Sequence, residues 1–108
     1  MKKLFVLTVL LFSFNSYSTE WVNITNAGEL KWQMKKDGIV YFRNLDKFNS
    51  NHAGCCYRYK LDTTTSGGKS LWSTILAKMA AGLPITFGFA KIPESDSDVQ
   101  AITLIGVH

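Results

Sequence analysis

One amphipathic stretch late in a chain otherwise patterned for strands sets the limits on its fold. Leu71, Ile75, Leu76, Met79 and Leu83 recur at helical spacing with Trp72 beside them, while Lys69, Ser73, Thr74 and Lys78 lie mostly off that line. Apolar residues three and four apart share one face of a helix. Thr65 or Ser66 offers an N-cap oxygen ahead of the stretch. Gly82 stands where a left-handed C-cap is wanted, and Pro84 forbids continuation. The spacing predicts a single helix over about 66–81, with Trp72 and Met79 in its core stripe and not in a ligand site.

Three strands precede that helix. Glu29 to Met34 alternates polar and apolar residues, the pattern of a half-buried strand. Lys36-Asp37-Gly38 then leads into Ile39-Val40-Tyr41-Phe42, a hairpin signal. A three-residue loop with Gly38 left-handed sets Trp32 opposite Phe42 and Met34 opposite Val40, which keeps one face apolar. A two-residue turn would instead oppose Trp32 to Arg43, so the longer loop is preferred. Residues 45–54 read as a polar, Asn-rich loop, and Cys55 to Leu61 as the third strand. Alternation there places Cys55, Tyr57, Tyr59 and Leu61 on one face, taken as inward, and Cys56, Arg58 and Lys60 on the other.

Two strands follow the helix, Ile85 to Ala90 and Val99 to Val107. The last is apolar on both faces and is expected to be covered on both sides. A short strand at Trp21 to Asn26 can precede the set. Between the final two strands, Glu94, Asp96 and Asp98 form an acidic turn. Their spacing lacks the glycine and terminal Glu of an EF-hand loop, so the turn reads as solvated and not as a calcium site.

The N-terminus fixes the compartment. Met1-Lys2-Lys3, an almost wholly apolar run from Leu4 to Phe14, and Asn15-Ser16-Tyr17-Ser18 are the charged, apolar and small-residue parts of a secretory signal cut after Ser18. The run is too short to span a bilayer. Residues 19–108 are then a single secreted or periplasmic domain. The whole chain has 12 basic and 8 acidic residues. The leader removes Lys2 and Lys3, and the slight excess that remains argues against nucleic acid as a partner. Cys55 and Cys56 are the only cysteines. In an oxidising compartment they leave three states open: a disulfide between neighbours, two thiols, or a link to another chain.

No enzyme, cofactor or metal motif is legible. Ser66-Gly67-Gly68-Lys69 lacks the rest of a phosphate loop. His52 and His108 are the only histidines, and no serine sits in a nucleophile elbow. Two histidines and two adjacent cysteines do not have zinc-site spacing. The candidate ligand-binding residues are Asn49, Asn51 and His52, which donate and accept hydrogen bonds, with Tyr57 and Arg58 beside them.

Three strands, a helix and two more strands match an all-β domain with one helix: a five-stranded Greek-key OB barrel, the helix between strands 3 and 4. The stretch from Leu71 through Ala77-Lys78-Met79-Ala80-Ala81-Gly82-Leu83-Pro84-Ile85 to Phe87 resembles the helix-to-strand junction of the B subunits of pentameric bacterial toxins of the cholera, pertussis and subtilase group. Val99 to Val107 is similar to their final strand. The resemblance implies a homo-oligomeric ring with sheet edges paired between neighbours, and a host or surface glycan bound on the outer surface. The chain departs from that group in having adjacent cysteines instead of a spaced disulfide. The alternative expectation is a periplasmic structural or protein-interaction domain with no small ligand.

Overall fold

A computed structural model of the chain describes residues 19–107; the leader expected over 1–18 and the terminal His108 lie outside them. The strands are β1 (Glu20–Ile24), β2 (Trp32–Met34), β3 (Ile39–Phe42), β4 (Tyr59–Asp62), β5 (Ile85–Phe89), β6 (Gln100–Ala101) and β7 (Leu104–Gly106). The helix α1 (Ser66–Ala81) follows β4, and short 3-10 turns occupy Ala27–Glu29 and Leu45–Lys47. The strands make two sheets, of order β1-β5-β7 and β2-β3-β4-β6. Every pairing is antiparallel except that of β4 with β6.

The architecture is mostly β with one helix, as the sequence implies. The strand count differs: seven strands in two sheets stand where five in one closed barrel were expected, and the helix comes after the fourth. Of the two additional strands, β1 is the short one the sequence allows at Trp21 to Asn26, and β6 and β7 divide the single closing strand expected over Val99 to Val107. At Asn26 the side-chain oxygen accepts the Gly28 N–H at 2.9 Å, closing a 3-10 turn that separates β1 from β2. At the other end, the Gln100 and Ile102 N–H groups donate to the Arg58 and Lys60 carbonyls, both at 2.8 Å, while the next residue, Thr103, donates to Gly88 of the other sheet at 2.9 Å. The closing segment thus changes sheets between Ile102 and Thr103. This also corrects its burial: Ile102 is inside, but Leu104 and Val107 are exposed.

The hairpin register is the one read from the sequence. Trp32 pairs with Phe42 and Met34 with Val40. Gly38 takes φ +87°, which a residue with a Cβ adopts only at a cost. Phe42 and Val40 are fully buried, but Trp32 and Met34 are each 42% exposed, so β2 is not half-buried as expected. It is an edge strand of its sheet, and the ring of Trp72 meets Trp32 edge-on at 5.0 Å between centroids.

α1 has the predicted span. Thr65 Oγ1 accepts the Gly68 N–H at 2.9 Å, and Gly82 closes the helix with φ +65°. The inward face is rotated from the expected stripe: Gly68, Trp72 and Ile75 are buried, Leu71 and Met79 pack only partly, and Leu76 and Leu83 are exposed. The rotation is set where the helix starts. Gly68 lies against the Asp62 carbonyl so closely that a side chain has no room, and turning that position inward carries Trp72 and Ile75 with it, four and seven residues on. Trp72 then meets Phe42, which in turn stacks at 4.8 Å on Phe87 of the other sheet.

The two neighbouring glycines of α1 separate these effects. Gly68→Ala drives a methyl into the Asp62 backbone and is expected to cost at least about 2 kcal/mol. Gly67 has open space around it, so Gly67→Ala is expected to leave stability unchanged or to raise it by up to about 1 kcal/mol. Urea unfolding of the two variants measures both; equal effects contradict the close approach at Gly68.

Candidate functional site

Alternation on β3 places Phe42 inward, so Tyr41 and Arg43 point out of the sheet. Register aligns Gln33, Tyr41 and Lys60 across β2, β3 and β4, and Lys35 lies one step beyond Gln33 on the same parity. This outer face is met by the segment just before β4. There the structure departs from the expected strand. Residues 55–58 are bends, and β4 begins only at Tyr59. Tyr59 and Leu61 are buried, as alternation requires, but Cys55 and Tyr57 are exposed. The reason is covalent: the Cys55 and Cys56 sulfurs are bonded to each other across a cis peptide bond, and no extended strand can carry that link because its neighbouring side chains point apart.

The displaced Tyr57 folds over the outer face. Its hydroxyl donates to Gln33 Oε1 at 3.0 Å, and its ring meets Tyr41 edge-on at 5.2 Å. Lys35 Nζ sits 5.0 Å from the Tyr41 ring centroid and 4.6 Å from that of Tyr57. The Arg43 guanidinium lies 5.7 Å from the Tyr57 centroid and donates to Cys55 Sγ at 3.5 Å. Each cation–π contact at such a partly exposed place contributes about 0.5–1 kcal/mol; together they hold a tyrosine in place while leaving it 39% exposed.

Beside this cluster is a cavity of about 290 Å³ lined by Cys55, Cys56, Tyr57, Arg58 and Asp96. Arg58 donates from Nε and Nη2 to Asp96 Oδ1 at 3.0 and 2.7 Å. Asp96 is placed by the acidic turn, which is ordered by its own hydrogen bonds. Asp98 accepts the Glu94 N–H at 3.0 Å and the Gln100 amide at 2.7 Å, and Lys91 pairs with it at 3.3 Å. Chiefly the Glu94 N–H holds the Asp98 carboxyl below its usual range. Of the residues that line the cavity, Arg58 and Asp96 are charged and pair with each other, while Lys35 and Arg43 lie on the Tyr57 ring beside it.

The expected site residues separate into two groups. Tyr57 and Arg58 line the cavity; Asn49, Asn51 and His52 do not. Asn49 caps its own loop, accepting the Asn51 N–H at 3.0 Å, and Asn51 is exposed. His52 is 6% exposed, with Nε2 3.0 Å from the Trp21 carbonyl and its ring 5.5 Å from that of Phe89. It anchors the loop to β1 and does not face solvent, because its ring completes the aromatic end of the core. The loop has a second anchor: the Ala53 N–H donates to Tyr59 Oη at 3.0 Å.

Gln33, Lys35, Tyr41 and Arg43 were not singled out together from the sequence, although hairpin register and alternation place three of them on one face. Asp96 has no such signal, since its position depends on how its turn folds. Among the described residues no cluster of three or more His, Cys, Asp or Glu could hold a metal ion, and no helix is long and apolar enough to cross a membrane. The chain was compared with protein families, with characterised proteins and with solved structures, and it matches none of them.

Burial, the largest influence on the Tyr59 phenol, raises its pKa above 10.0, partly offset by the Ala53 hydrogen bond. A raised pKa means stability that is present below pH 10 and lost as pH rises through the folded value. Tyr59→Phe removes the anchor for Ala53 and is expected to cost about 1 kcal/mol at neutral pH. The variant also loses the alkaline sensitivity, so its deficit relative to the natural chain narrows from about pH 8 to about pH 10.5. Denaturant unfolding at the two pH values checks this; a constant gap contradicts it.

Proposed function

We propose that this chain is an exported binding module that takes a carbohydrate on the outer face of its four-stranded sheet, in a fold of the Greek-key OB type like that of the toxin B subunits. Strand pairing supports the fold reading. If β1 and β2 are one strand bent at Ala27–Glu29, and β6 and β7 one strand bent at Ile102–Thr103, five strands remain. The first pairs with β3, β3 with β4, β4 in parallel with the last, the last with β5, and β5 with the first. A parallel pair between the third and the last strand, with the helix between the third and fourth, is the OB connectivity. In such folds the face of the second and third strands and the loops flanking it bind oligosaccharides and oligonucleotides. The secretory pattern of residues 1–18 favours the former and supports a module of the periplasm or the cell exterior.

The observation that carries the ligand reading is Tyr57, held half exposed by Gln33, Lys35 and Arg43 at the rim of the Cys55–Asp96 cavity. A sugar ring has an apolar C–H face and a rim of hydroxyls. Tyr57 and the disulfide sulfurs supply apolar surface, while Arg58 and Asp96 supply a donor and an acceptor whose positions are already fixed. Binding sites of small polar ligands combine these parts.

A second reading, a protein-interaction domain without a small ligand, is favoured by the apolar side chains left uncovered. Trp32 and Met34 on β2, and Leu76 and Leu83 at the helix, are 40–46% exposed. Both readings extend to a homo-oligomer, which light scattering of residues 19–108 tests directly; a stable monomer removes that part.

Glycan-array binding of residues 19–108 is expected to return a defined set of glycans. Tyr57→Ala is expected to weaken it at least about tenfold, or about 1.4 kcal/mol, with the fold kept. Folded protein that retains no glycan at about millimolar concentration, or Tyr57→Ala binding as well as the natural chain, overturns the reading.

A further inference from the structure

The disulfide is more than a wall of the cavity. Cys55 is exposed, Cys56 is half-buried, and both residues line a space open to solvent. The Arg43 guanidinium donates to Cys55 Sγ at 3.5 Å. Among the described residues Arg43 has no ion-pair partner, and its Nε is buried without a hydrogen-bond acceptor. An uncompensated cation is therefore fixed against one sulfur of the pair. The other cation at the cavity, Arg58, is neutralised by Asp96 at 2.7 Å, which also masks the carboxylate that lines the cavity.

We propose that Cys55–Cys56 is an exchangeable disulfide, a site of reduction by an external dithiol, and that Arg43 directs the exchange by making Cys55 the departing thiolate. A thiolate of the dithiol enters the cavity and attacks Cys56 Sγ. The sulfur–sulfur bond breaks, its electron pair passes to Cys55 Sγ, and the new thiolate is stabilised by the guanidinium beside it. The second thiol of the reagent loses its proton and attacks the reagent sulfur of the mixed disulfide, releasing Cys56. The reagent leaves as its own disulfide, oxidised by two electrons. The chain gains those two electrons and, through solvent, the two protons. Exchange is faster when the leaving thiolate is stabilised, and the guanidinium stabilises Cys55 alone, so Cys56, half-buried but lining the cavity, is the sulfur attacked. The inference uses the cavity and Arg43 only, so it stands or falls independently of the carbohydrate reading.

Three measurements on residues 19–108 purified without reductant test it. Thiol titration is expected to find none before and two after dithiothreitol; two free thiols at the outset overturn the proposal. Brief exposure to glutathione followed by acid quench and fragmentation between the cysteines is expected to place the mixed disulfide on Cys56. An adduct chiefly on Cys55 overturns the direction of exchange. Finally, Arg43→Gln is expected to slow reduction by dithiothreitol at least about threefold, with Arg43→Lys between it and the natural chain. A purely structural role for Arg43 would shift melting without this ordering of rates, and equal rates in all three overturn the role assigned to the guanidinium. Should Arg43→Gln fail to fold, the glutathione adduct on the natural chain still decides the matter.

Discussion

Phe42 holds the three parts of the molecule together. Its ring lies 4.8 Å from Phe87 of the other sheet and 6.3 Å from Trp72 of the helix, and it has no exposed surface. An aromatic in such a place contributes about 3–5 kcal/mol, several times any single contact on the outer face. The core therefore decides where β3 lies and which way its side chains alternate, and the surface follows. Because Phe42 must point in, Tyr41 and Arg43 must point out. The cation–aromatic cluster is thus a consequence of a packing requirement one residue away.

The segment that completes the site is held differently. Between the 3-10 turn at Leu45–Lys47 and the start of β4 it meets a strand at its last residue, where the Arg58 carbonyl accepts the Gln100 N–H, and further back its position depends on side chains that reach across. His52 reaches the Trp21 carbonyl, and Tyr59 receives the Ala53 N–H. Both rings also pack on Phe89, at 5.5 and 4.9 Å. The loop is pinned just before the cysteines and again at the first residue of β4. Between these points the bonded pair turns the chain outward and delivers Tyr57 to Gln33 and Lys35. His52, a candidate ligand contact in the sequence, is thus one of the residues that hold the cavity's approach in place.

How much of this was legible depends on whether a pattern or a partner decides the outcome. The hairpin register, the helix span and the inward positions of Tyr59 and Leu61 follow from periodicity and turn chemistry, which are local and written in the chain. The rotation of α1 was not, because Leu76 and Trp72 are equally apolar and the choice between them is made by backbone contact at Gly68. Nor was the break in the closing segment, since every residue there suits a strand and only the carbonyls of Lys60 and Gly88 show where it changes sheets. At the cysteines the alternation rule itself failed: it supposes an extended backbone, and a bond between neighbours forbids one. Of the candidate site, Arg58 was legible by type and face and Tyr57 by type alone, since alternation turned it inward; Asp96 was not, being set by hydrogen bonds within its own turn.

The same bend that defeated the pattern makes the site. Had residues 55–58 continued β4, Tyr57 would have joined Tyr59 and Leu61 beneath the sheet, and the outer face would have kept its cations without its exposed ring. Turning the chain at Cys55–Cys56 moves one aromatic from the core side to the surface side and puts two sulfurs next to an arginine. A buried tyrosine at that place would have added stability, through apolar area removed from water. The chain instead keeps Tyr57 partly in solvent, bridged to Gln33, Lys35 and Arg43, an arrangement that adds little to folding and supplies a ring, hydrogen-bonding groups and positive charge at one surface. Surfaces of that composition are what a polar ligand with an apolar face requires, which is why the site is sought at the bend and not in the Asn-rich loop before it.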